Sequence, residues 1–397
     1  MFLASTLSSM FTGLFAGTFL DRYGRRNGCM MWAVANVLQC LLIRSKRMSA
    51  LLLGRMIAGA GATLLATGFE SWMITEHHSR GYPSHLLADT FRMVTWGMGI
   101  TSIASGFMGD LAVSRSGSMA PFNVAIVVSV IAGVLIGRLW TENYGDRSFS
   151  ALHHTREAMG SLVGDGRLLM MGLVQVLFEA AMVTWIIFWV PALQDAASGS
   201  QVIALGTVFS TLMMSMCGGS SLFKLLTEGL PERLALSPEA CLVFATGVST
   251  VAMAASATGL SAGKLLFMFL VYEACIGLYL PAMATCRSKY IDDRFRGTVM
   301  NIVRVPMNLV AALMISGPVG KTFGSMDDKV LVVFSLLAGL TGVATLIQVL
   351  LLQREGERAV NSQGGVGRKG GVDFSGPRAA ANGGAERKKR EGTGSSS

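Results

Sequence analysis

Five of the ionisable residues within otherwise apolar stretches of the chain stand out: Arg55, Glu70, Glu179, Glu273 and Arg304. A charged side chain in apolar surroundings is costly, so each of these residues needs a partner, access to water or a function. A guanidinium keeps its proton even when it is desolvated, and its planar fork of donors is suited to binding oxyanions. A buried carboxyl group either pairs with such a cation or takes up a proton.

Three polar residues share one face of a predicted helix at the spacing i, i+3, i+7: Asn301, Arg304 and Asn308. Pro306 lies between them and removes one backbone hydrogen bond, which loosens the helix at this point. We therefore take Arg304 with Asn301 as the first candidate for binding an anion, and Arg55 as the second.

The other candidates are also related by helical spacing. Arg55 and Glu70 are fifteen residues apart, which places them about 60° apart on one helix face. Gln175 lies one turn before Glu179. All of these charged residues could instead form ion pairs that lock helices together without touching a ligand, and this alternative stays open. The positions between Arg55 and Glu70 on this face are small, namely Gly59, Ala62 and Ala66.

The composition excludes most soluble proteins. Of 397 residues, 51% are hydrophobic and only 14% are charged, with a mean hydropathy of +0.52, whereas soluble domains carry about 25% charged residues. The missing surface charge indicates contact with lipid. The net charge of +9 does not indicate nucleic-acid binding, because nine of the 33 Lys and Arg residues follow Gln353.

The chain contains eleven apolar segments of about the length that crosses a bilayer. A hydrocarbon core of about 30 Å needs about 20 helical residues, and a helix satisfies its own backbone hydrogen bonds in lipid. We predict an all-α membrane protein with eleven transmembrane helices. One set of alternate loops carries about twice the Arg and Lys of the other, so we expect that set to be cytoplasmic. The apolar segments are 1–20, 27–43, 50–74, 89–110, 120–140, 168–190, 201–223, 240–259, 263–285, 298–320 and 330–353.

The polar stretch 141–167 separates five of these segments from six. This pattern predicts an amino-terminal helical bundle over 1–140, a cytoplasmic central loop over 141–167 and a carboxy-terminal bundle over 168–353. The remaining residues, 354–397, are rich in Gly, Ser, Arg and Lys and predict a disordered basic tail.

Other kinds of chemistry leave no motif in the sequence. The six cysteines show no CxxC pair, and His77, His78 and His85 fall in a predicted polar loop. His153 and His154 have no cysteine ligands nearby. There is no phosphate-binding loop with its Lys and no nucleophile elbow. We expect no metal, no cofactor and no enzymatic activity.

The most specific local motif runs from Gly17 to Arg26, at the end of the first apolar segment. It resembles the G-x-x-x-D-R-x-G-R-R loop of the major facilitator superfamily. The resemblance implies that Gly17 lets two helices approach and that Asp21 pairs with the partner bundle as a conformational latch. A second stretch, from Leu53 to Gly61, looks like the arginine-and-glycine pattern of the family's fourth helix. The matching positions of the loop are Gly17, Asp21, Arg22, Gly24, Arg25 and Arg26.

Longer stretches are similar to the molybdate-anion transporter branch of this superfamily. The resemblance implies transport of molybdate around a central cavity that is lined by the family's fourth, seventh and tenth helices. In the family, the loop that corresponds to Gly17–Arg26 follows the second helix, and the long central loop follows the sixth. Here they follow the first and the fifth apolar segments, so we expect a further span in front of Phe2 in the native protein. The similar stretches are Gly68 to Trp72, Glu142 to Tyr144, Leu177 to Glu179, Glu273 to Tyr279 and Arg304 to Pro306.

The sequence therefore predicts a major facilitator fold that moves molybdate or a similar small oxyanion by alternating access, with proton coupling left open. The alternatives are a proton-coupled exporter of an organic solute and a non-transporting membrane receptor or scaffold. We expect a monomer in the lipid bilayer, in the plasma membrane, without a nucleic-acid partner.

Overall fold

The computed structural model describes residues 1–145, 151–197, 203–231, 233–291, 296–316 and 326–367. Within these residues the only regular secondary structure is helical. In chain order the helices are α1 (Phe2–Tyr23), α2 (Arg25–Leu42), α3 (Met48–Ser79), α4 (Ser84–Ser116), α5 (Ala120–Leu139), α6 (Ala151–Gly164), α7 (Gly166–Ala196), α8 (Leu205–Glu228), α9 (Pro238–Ser256), α10 (Ala262–Tyr290), α11 (Arg296–Ser316) and α12 (Met326–Gly367).

Each of the eleven apolar segments falls on a helix, and two boundaries differ from the prediction. The stretch 141–167, expected to be a loop, contains α6. The stretch expected to be a tail begins as helix, because α12 continues past Gln353 to Gly367; the residues Arg354 to Val360 include the good helix formers Arg, Glu and Ala. The rest of the predicted tail lies outside the described residues.

Several helices have the length and apolar composition of membrane spans. Among the described residues, six pass this test outright, and the two arms of a bent α1 pass it together. Large apolar side chains on α5, including Val127, Val128 and Ile131, are exposed, as expected for a surface in contact with lipid. The all-helical membrane fold is thus confirmed, and the number of eleven spans stays a prediction. The six helices are α3, α5, α7, α9, α10 and α12.

We call α1–α5 the first half, and α7–α11 with α12 as far as Gln353 the second half. In the first half, α3 packs against α1 and α2, and α5 packs against α2 and α4. In the second half, α10 packs against α7, α8 and α9. The halves meet where α4 packs against α8 and α1 against α11. Residues Met1–Gln353 form one compact unit and Arg354–Ser397 a second, so the separate bundles over 1–140 and 168–353 stay a prediction.

Glycines allow some of these helices to pack backbone to backbone. A Cβ added at Gly219 would overlap the carbonyl oxygen of Ala274, and one at Gly277 would overlap that of Met216, where α8 crosses α10. A Cβ added at Gly59 of α3 would likewise overlap the Ser5 carbonyl oxygen of α1. Close packing through small residues is typical of membrane helices, which lack a hydrophobic driving force between them.

Aromatic side chains fill the core of the second half. Phe178 of α7 stacks on Tyr279 of α10 with ring centroids 4.1 Å apart. Trp185 meets Phe269 edge to face at 5.6 Å, and all four side chains are almost fully buried. This packing fixes α7 against α10 and so positions the acidic residues that these helices carry.

Candidate functional site

A cavity of about 110 Å³ lies between the middle turns of three helices, α1 and α3 of the first half and α11 of the second. Its wall includes two of the predicted site residues, Arg304 and Asn308. The small residues Ala62 and Ala66 face it from α3. The described residues that line it are Ser9, Met10, Gly13, Ala62, Thr63, Ala66, Arg304, Val305, Met307 and Asn308.

Arg304 and Asn308 lie one helical turn apart on α11, which also contains Pro306. Asn308 is buried, with 9% of its surface exposed, and Arg304 is half-buried. Among the residues that the structure describes, Arg304 makes no hydrogen bond and no ion pair. Its guanidinium is therefore free to bind a ligand in the cavity. Asn301 lies on the same helix, but its side chain is outside the described ones.

Glu179 of α7 carries an acidic side chain on which this positive charge acts. The charges of Arg287 and Arg304 both act on its carboxyl group, and Gln175 lies one turn before it on the same helix. Gln175 is itself buried, with 5% exposed. The structure thus brings four of the predicted residues, Gln175, Glu179, Arg304 and Asn308, to the contact between α7 and α11 and to the cavity beside it.

Hydroxyl groups on the first half complete the cavity wall. The hydroxyls of Ser9 and Thr63 are 3.1 Å apart, and Thr12 donates to Thr63 at 3.2 Å. Thr63 also reaches the carbonyl oxygen of Gly59 at 3.2 Å. Sequence reasoning missed these residues because isolated Ser and Thr hydroxyls in apolar helices usually bond to their own backbone. The one signal in the sequence was that Ser9 and Thr12 lie three residues apart on α1.

Arg55 and Glu70 lie on α3 but outside the cavity wall. The Arg55 guanidinium carbon lies 5.2 Å from the centre of the Phe2 ring, in a cation–π contact. Glu70 is exposed, and among the described residues it has no hydrogen bond or ion pair. The structure therefore does not bring these two residues together with Arg304.

Glu273 of α10 is buried, with only 4% of its surface exposed. Its Oε2 atom has no hydrogen-bond partner among the described residues. Among the described residues no cation pairs with this carboxyl group, which is surrounded mainly by buried apolar structure. Glu273 is thus separate from the Arg304 neighbourhood, and pairing with that arginine finds no support.

The predicted latch loop joins α1 to α2 and is held by its own half. Asp21 accepts a hydrogen bond from Arg25 at 2.8 Å, and Arg25 donates to the Ser71 carbonyl oxygen of α3 at 3.2 Å. Gly24 has a φ of 100°, a conformation that favours glycine. The expected pairing of Asp21 with the partner bundle is not seen among the described residues, because Arg25 occupies the carboxylate.

The remaining motif positions have different surroundings. A Cβ added at Gly17 would meet no atom, so Gly17 does not mark a close helix approach in this conformation. Arg22 is exposed, with its guanidinium 5.8 Å from the Tyr23 ring centre. Arg26 donates to the Gly137 carbonyl oxygen of α5, and its backbone N–H donates to Glu142 at 3.0 Å.

The residues at and after the end of α5 connect α2 and α3 through hydrogen bonds and ring stacking. The Trp72 indole donates to the Thr141 carbonyl oxygen at 2.9 Å, and its ring stacks on Trp140 at 3.7 Å. Asn143 donates to the Trp72 carbonyl oxygen at 3.2 Å, while the Glu142 carboxylate caps the start of α2. Two of the stretches that carry the family resemblance therefore meet here.

Metal-ligating residues do not cluster in the described part of the chain. No group of three or more His, Cys, Asp and Glu there could hold a metal ion, and all six cysteines are free thiols. The cavity is the feature with the chemistry of a binding site, because it combines a cation with uncharged donors.

Comparisons with known proteins identify relatives over most of the chain. A major facilitator family model (MFS_5), described as sugar transporters with 12 transmembrane helices, matches residues 1–263. A molybdate-anion transporter of Xenopus tropicalis is 30% identical over 315 residues, which cover 77% of this chain and 68% of that protein. One of Danio rerio is 26% identical over 340 residues, covering 78% and 69%.

Solved structures share the fold at low sequence identity. The nucleoside transporter NupG superposes with a TM-score of 0.70 at 13% identity, covering 88% of this chain and 89% of that one. A D-xylose–proton symporter gives a TM-score of 0.66 at 10% identity, covering 87% and 85%. With the family model and the relatives, these matches show that the chain is an integral multi-pass membrane transporter, not an enzyme, and that it belongs to the molybdate-anion transporter family of the major facilitator superfamily.

Proposed function

We propose that the chain carries molybdate, or a similar small tetrahedral oxyanion, across the membrane by alternating access around the cavity between α1, α3 and α11. The observation that carries this proposal is the Arg304 guanidinium, which lines the cavity and has no hydrogen-bond partner among the described residues. The names of the relatives, molybdate-anion transporters, support the same substrate.

The size of the cavity favours a small ion. Sites for drug-sized organic ligands measure roughly 300–1,000 Å³, whereas this cavity measures about 110 Å³. At about 30 Å³ per water molecule, it holds the equivalent of three or four waters. The cavity is therefore closer in size to a five-atom oxyanion than to a drug-sized organic ligand.

The polar groups of the wall suit an acceptor-only ligand. Arg304 supplies a fixed positive charge with parallel donors, and the Asn308 amide supplies further N–H groups. Ser9 and Thr63 offer hydroxyls from the opposite side. Since the walls come from both halves, a movement of one half against the other would take the site apart and release the ion. Glu179 balances part of the arginine charge between transport events.

Glu273 is our proposed site for proton coupling. An ionised carboxylate is unfavourable in a buried position without a cation or a full set of donors, and the Oε2 atom lacks a donor among the described residues. Such a group exchanges a proton when a conformational change alters its access to water. Proton-coupled movement of an organic solute is the second candidate, favoured by the sugar-transporter description of the family.

Uptake by the purified full chain in liposomes tests the substrate. We expect saturable accumulation of labelled molybdate that is reduced by excess unlabelled molybdate and, to a lesser degree, by sulfate, but not by xylose. Empty liposomes and liposomes with Arg304→Gln protein provide the controls. Absence of molybdate uptake by protein that exchanges labelled xylose would overturn the proposal and establish the organic-solute candidate.

A further inference from the structure

The two halves approach each other closely where α4 packs against α8. A Cβ added at Gly106 would overlap the Ser210 hydroxyl and the Gly206 carbonyl oxygen, and one at Gly206 would overlap the Gly106 carbonyl oxygen. The Ser210 hydroxyl also donates to the Ile103 carbonyl oxygen across the same contact at 2.8 Å. Backbone therefore lies directly against backbone at this contact between the halves.

At the end of this contact, the carboxylate of Asp110 binds the first turn of α8. Asp110 of α4 accepts a hydrogen bond from the Gly206 backbone N–H at 2.8 Å and from the Thr207 hydroxyl at 2.7 Å. It also accepts one from the Thr207 backbone N–H. These N–H groups belong to the first turn of α8, which has no partner for them within the helix. Asp110 thus acts as the N-cap of a helix in the other half, in line with that helix's dipole.

Asp110 and Asp21 occupy comparable places in the fold. Each lies near the carboxyl end of a first-half helix that packs against a second-half helix, α4 against α8 and α1 against α11. Asp21 and Asp110 nevertheless lie at opposite ends of the first half, because α1 and α4 run through it in opposite directions. In this conformation Asp110 engages the second half, whereas Asp21 hydrogen-bonds with Arg25 of its own half.

We propose that Asp110 is a second conformational latch, which holds the two halves together at the end opposite Asp21. The proposal rests on the alternating access proposed above but not on the identity of the solute. In the conformer described here the Asp110 latch is closed. Opening the cavity toward that end requires the first turn of α8 to leave the carboxylate, so removing the carboxylate favours the conformer that is open there.

Distances between spin labels measure this equilibrium directly. Ser114 of α4 and Ala204, just before α8, are exposed residues on the two sides of the latch; after Cys217→Ser, the remaining native cysteines are buried. We would label both positions in the full chain in lipid nanodiscs, without substrate, and record the distance distribution. Loss of an N-cap changes an equilibrium roughly two- to thirtyfold, so Asp110→Ala should raise the population of the longer distance by about tenfold.

Three further variants test whether the latch is specific. Thr207→Val removes the hydroxyl bond alone and should shift the distances in the same direction by a smaller factor, which keeps the test usable if Asp110→Ala fails to fold. Asp21→Asn should shift the population the opposite way, and combining it with Asp110→Asn should bring it back toward the unsubstituted protein. The matched control is Asp165→Ala, because Asp165 caps its own helix α7 through the Arg167 N–H at 2.9 Å.

The outcomes separate clearly. A longer distance in Asp110→Ala but not in Asp165→Ala supports the latch. An unchanged or shorter distance in Asp110→Ala, or an equal shift in both alanine variants, would overturn it. Because no substrate is present, these results do not depend on molybdate uptake, and a failure of the proposed function would appear only in the uptake assay.

Discussion

The substitution Arg304→Gln changes the only cation among the described residues of the cavity wall. Glutamine keeps an amide donor and much of the side-chain length, but it removes the charge and the paired donors of the guanidinium. A hydrogen bond to a charged group contributes about 1.5–3 kcal/mol, which corresponds to roughly a 10- to 150-fold weaker molybdate affinity. Glu179 still has Arg287 acting on it, so we expect the variant to fold.

Two further variants serve as comparisons for this prediction, namely Arg304→Lys and Arg55→Gln. Lysine keeps the charge as a compact ammonium but cannot form the bidentate contact, so its affinity should lie between those of the unsubstituted protein and Arg304→Gln. Arg55 contacts Phe2 outside the cavity, and its replacement by glutamine should leave the affinity within about twofold. Such a change is well below the loss of affinity expected from removing a hydrogen bond to a charged group.

Calorimetric titration of molybdate into the purified proteins, together with saturation curves of uptake, gives these affinities. Size-exclusion profiles establish that each variant is folded. Normal affinity and uptake in well-folded Arg304→Gln would refute the proposed site. If Arg55→Gln lost affinity instead, the anion would bind nearer to the start of α3.

Three other substitutions test separate parts of the structure. Glu273→Gln should still bind molybdate in the titration but lose the dependence of uptake on the pH gradient; an unchanged pH dependence would exclude this residue as the proton site. Thr63→Val should weaken molybdate binding about two- to tenfold, as loss of one neutral hydrogen bond predicts, and equal affinity would show that the hydroxyl does not touch the ion. Gly219→Leu should lower the thermal unfolding temperature, because its side chain collides with the Ala274 carbonyl and overpacking costs roughly 1–3 kcal/mol; a temperature equal to that of the unsubstituted protein would contradict the close contact.

The sequence predicted the features that depend on local composition. Apolar length located the helices, and a charge inside an apolar helix identified Arg304, because both signals arise from the cost of burying polar groups. The stripe of small residues on α3 was predicted in the same way, and Ala62 and Ala66 of that stripe face the cavity. Each of these features can be read without knowing which helices are neighbours.

Features that depend on neighbours could not be predicted. Asp110 stands at the end of an apolar segment, where a carboxylate is usually solvated, and its role follows from the position of α8. Ser9 and Thr63 gain importance only because α1 lies against α3. Asp21 was expected to pair with the other half, and the structure pairs it with Arg25 of its own half. Arg55 and Glu70 share a helix face, yet only a tertiary structure shows that the cavity lies between them.

The contact between α8 and α10 has a mechanical consequence. Gly219 of α8 meets the backbone of Ala274, the residue next to Glu273, without intervening side chains. Gly219 lies fourteen residues from the start of α8, or about 21 Å along the helix at 1.5 Å per residue. Because the two backbones are in direct contact, we expect a displacement of the first turn of α8 from Asp110 to move α10 and the buried carboxyl group as well. Movement at one face of the membrane would thereby reach the protonatable group directly, with no chain of side-chain rearrangements between them.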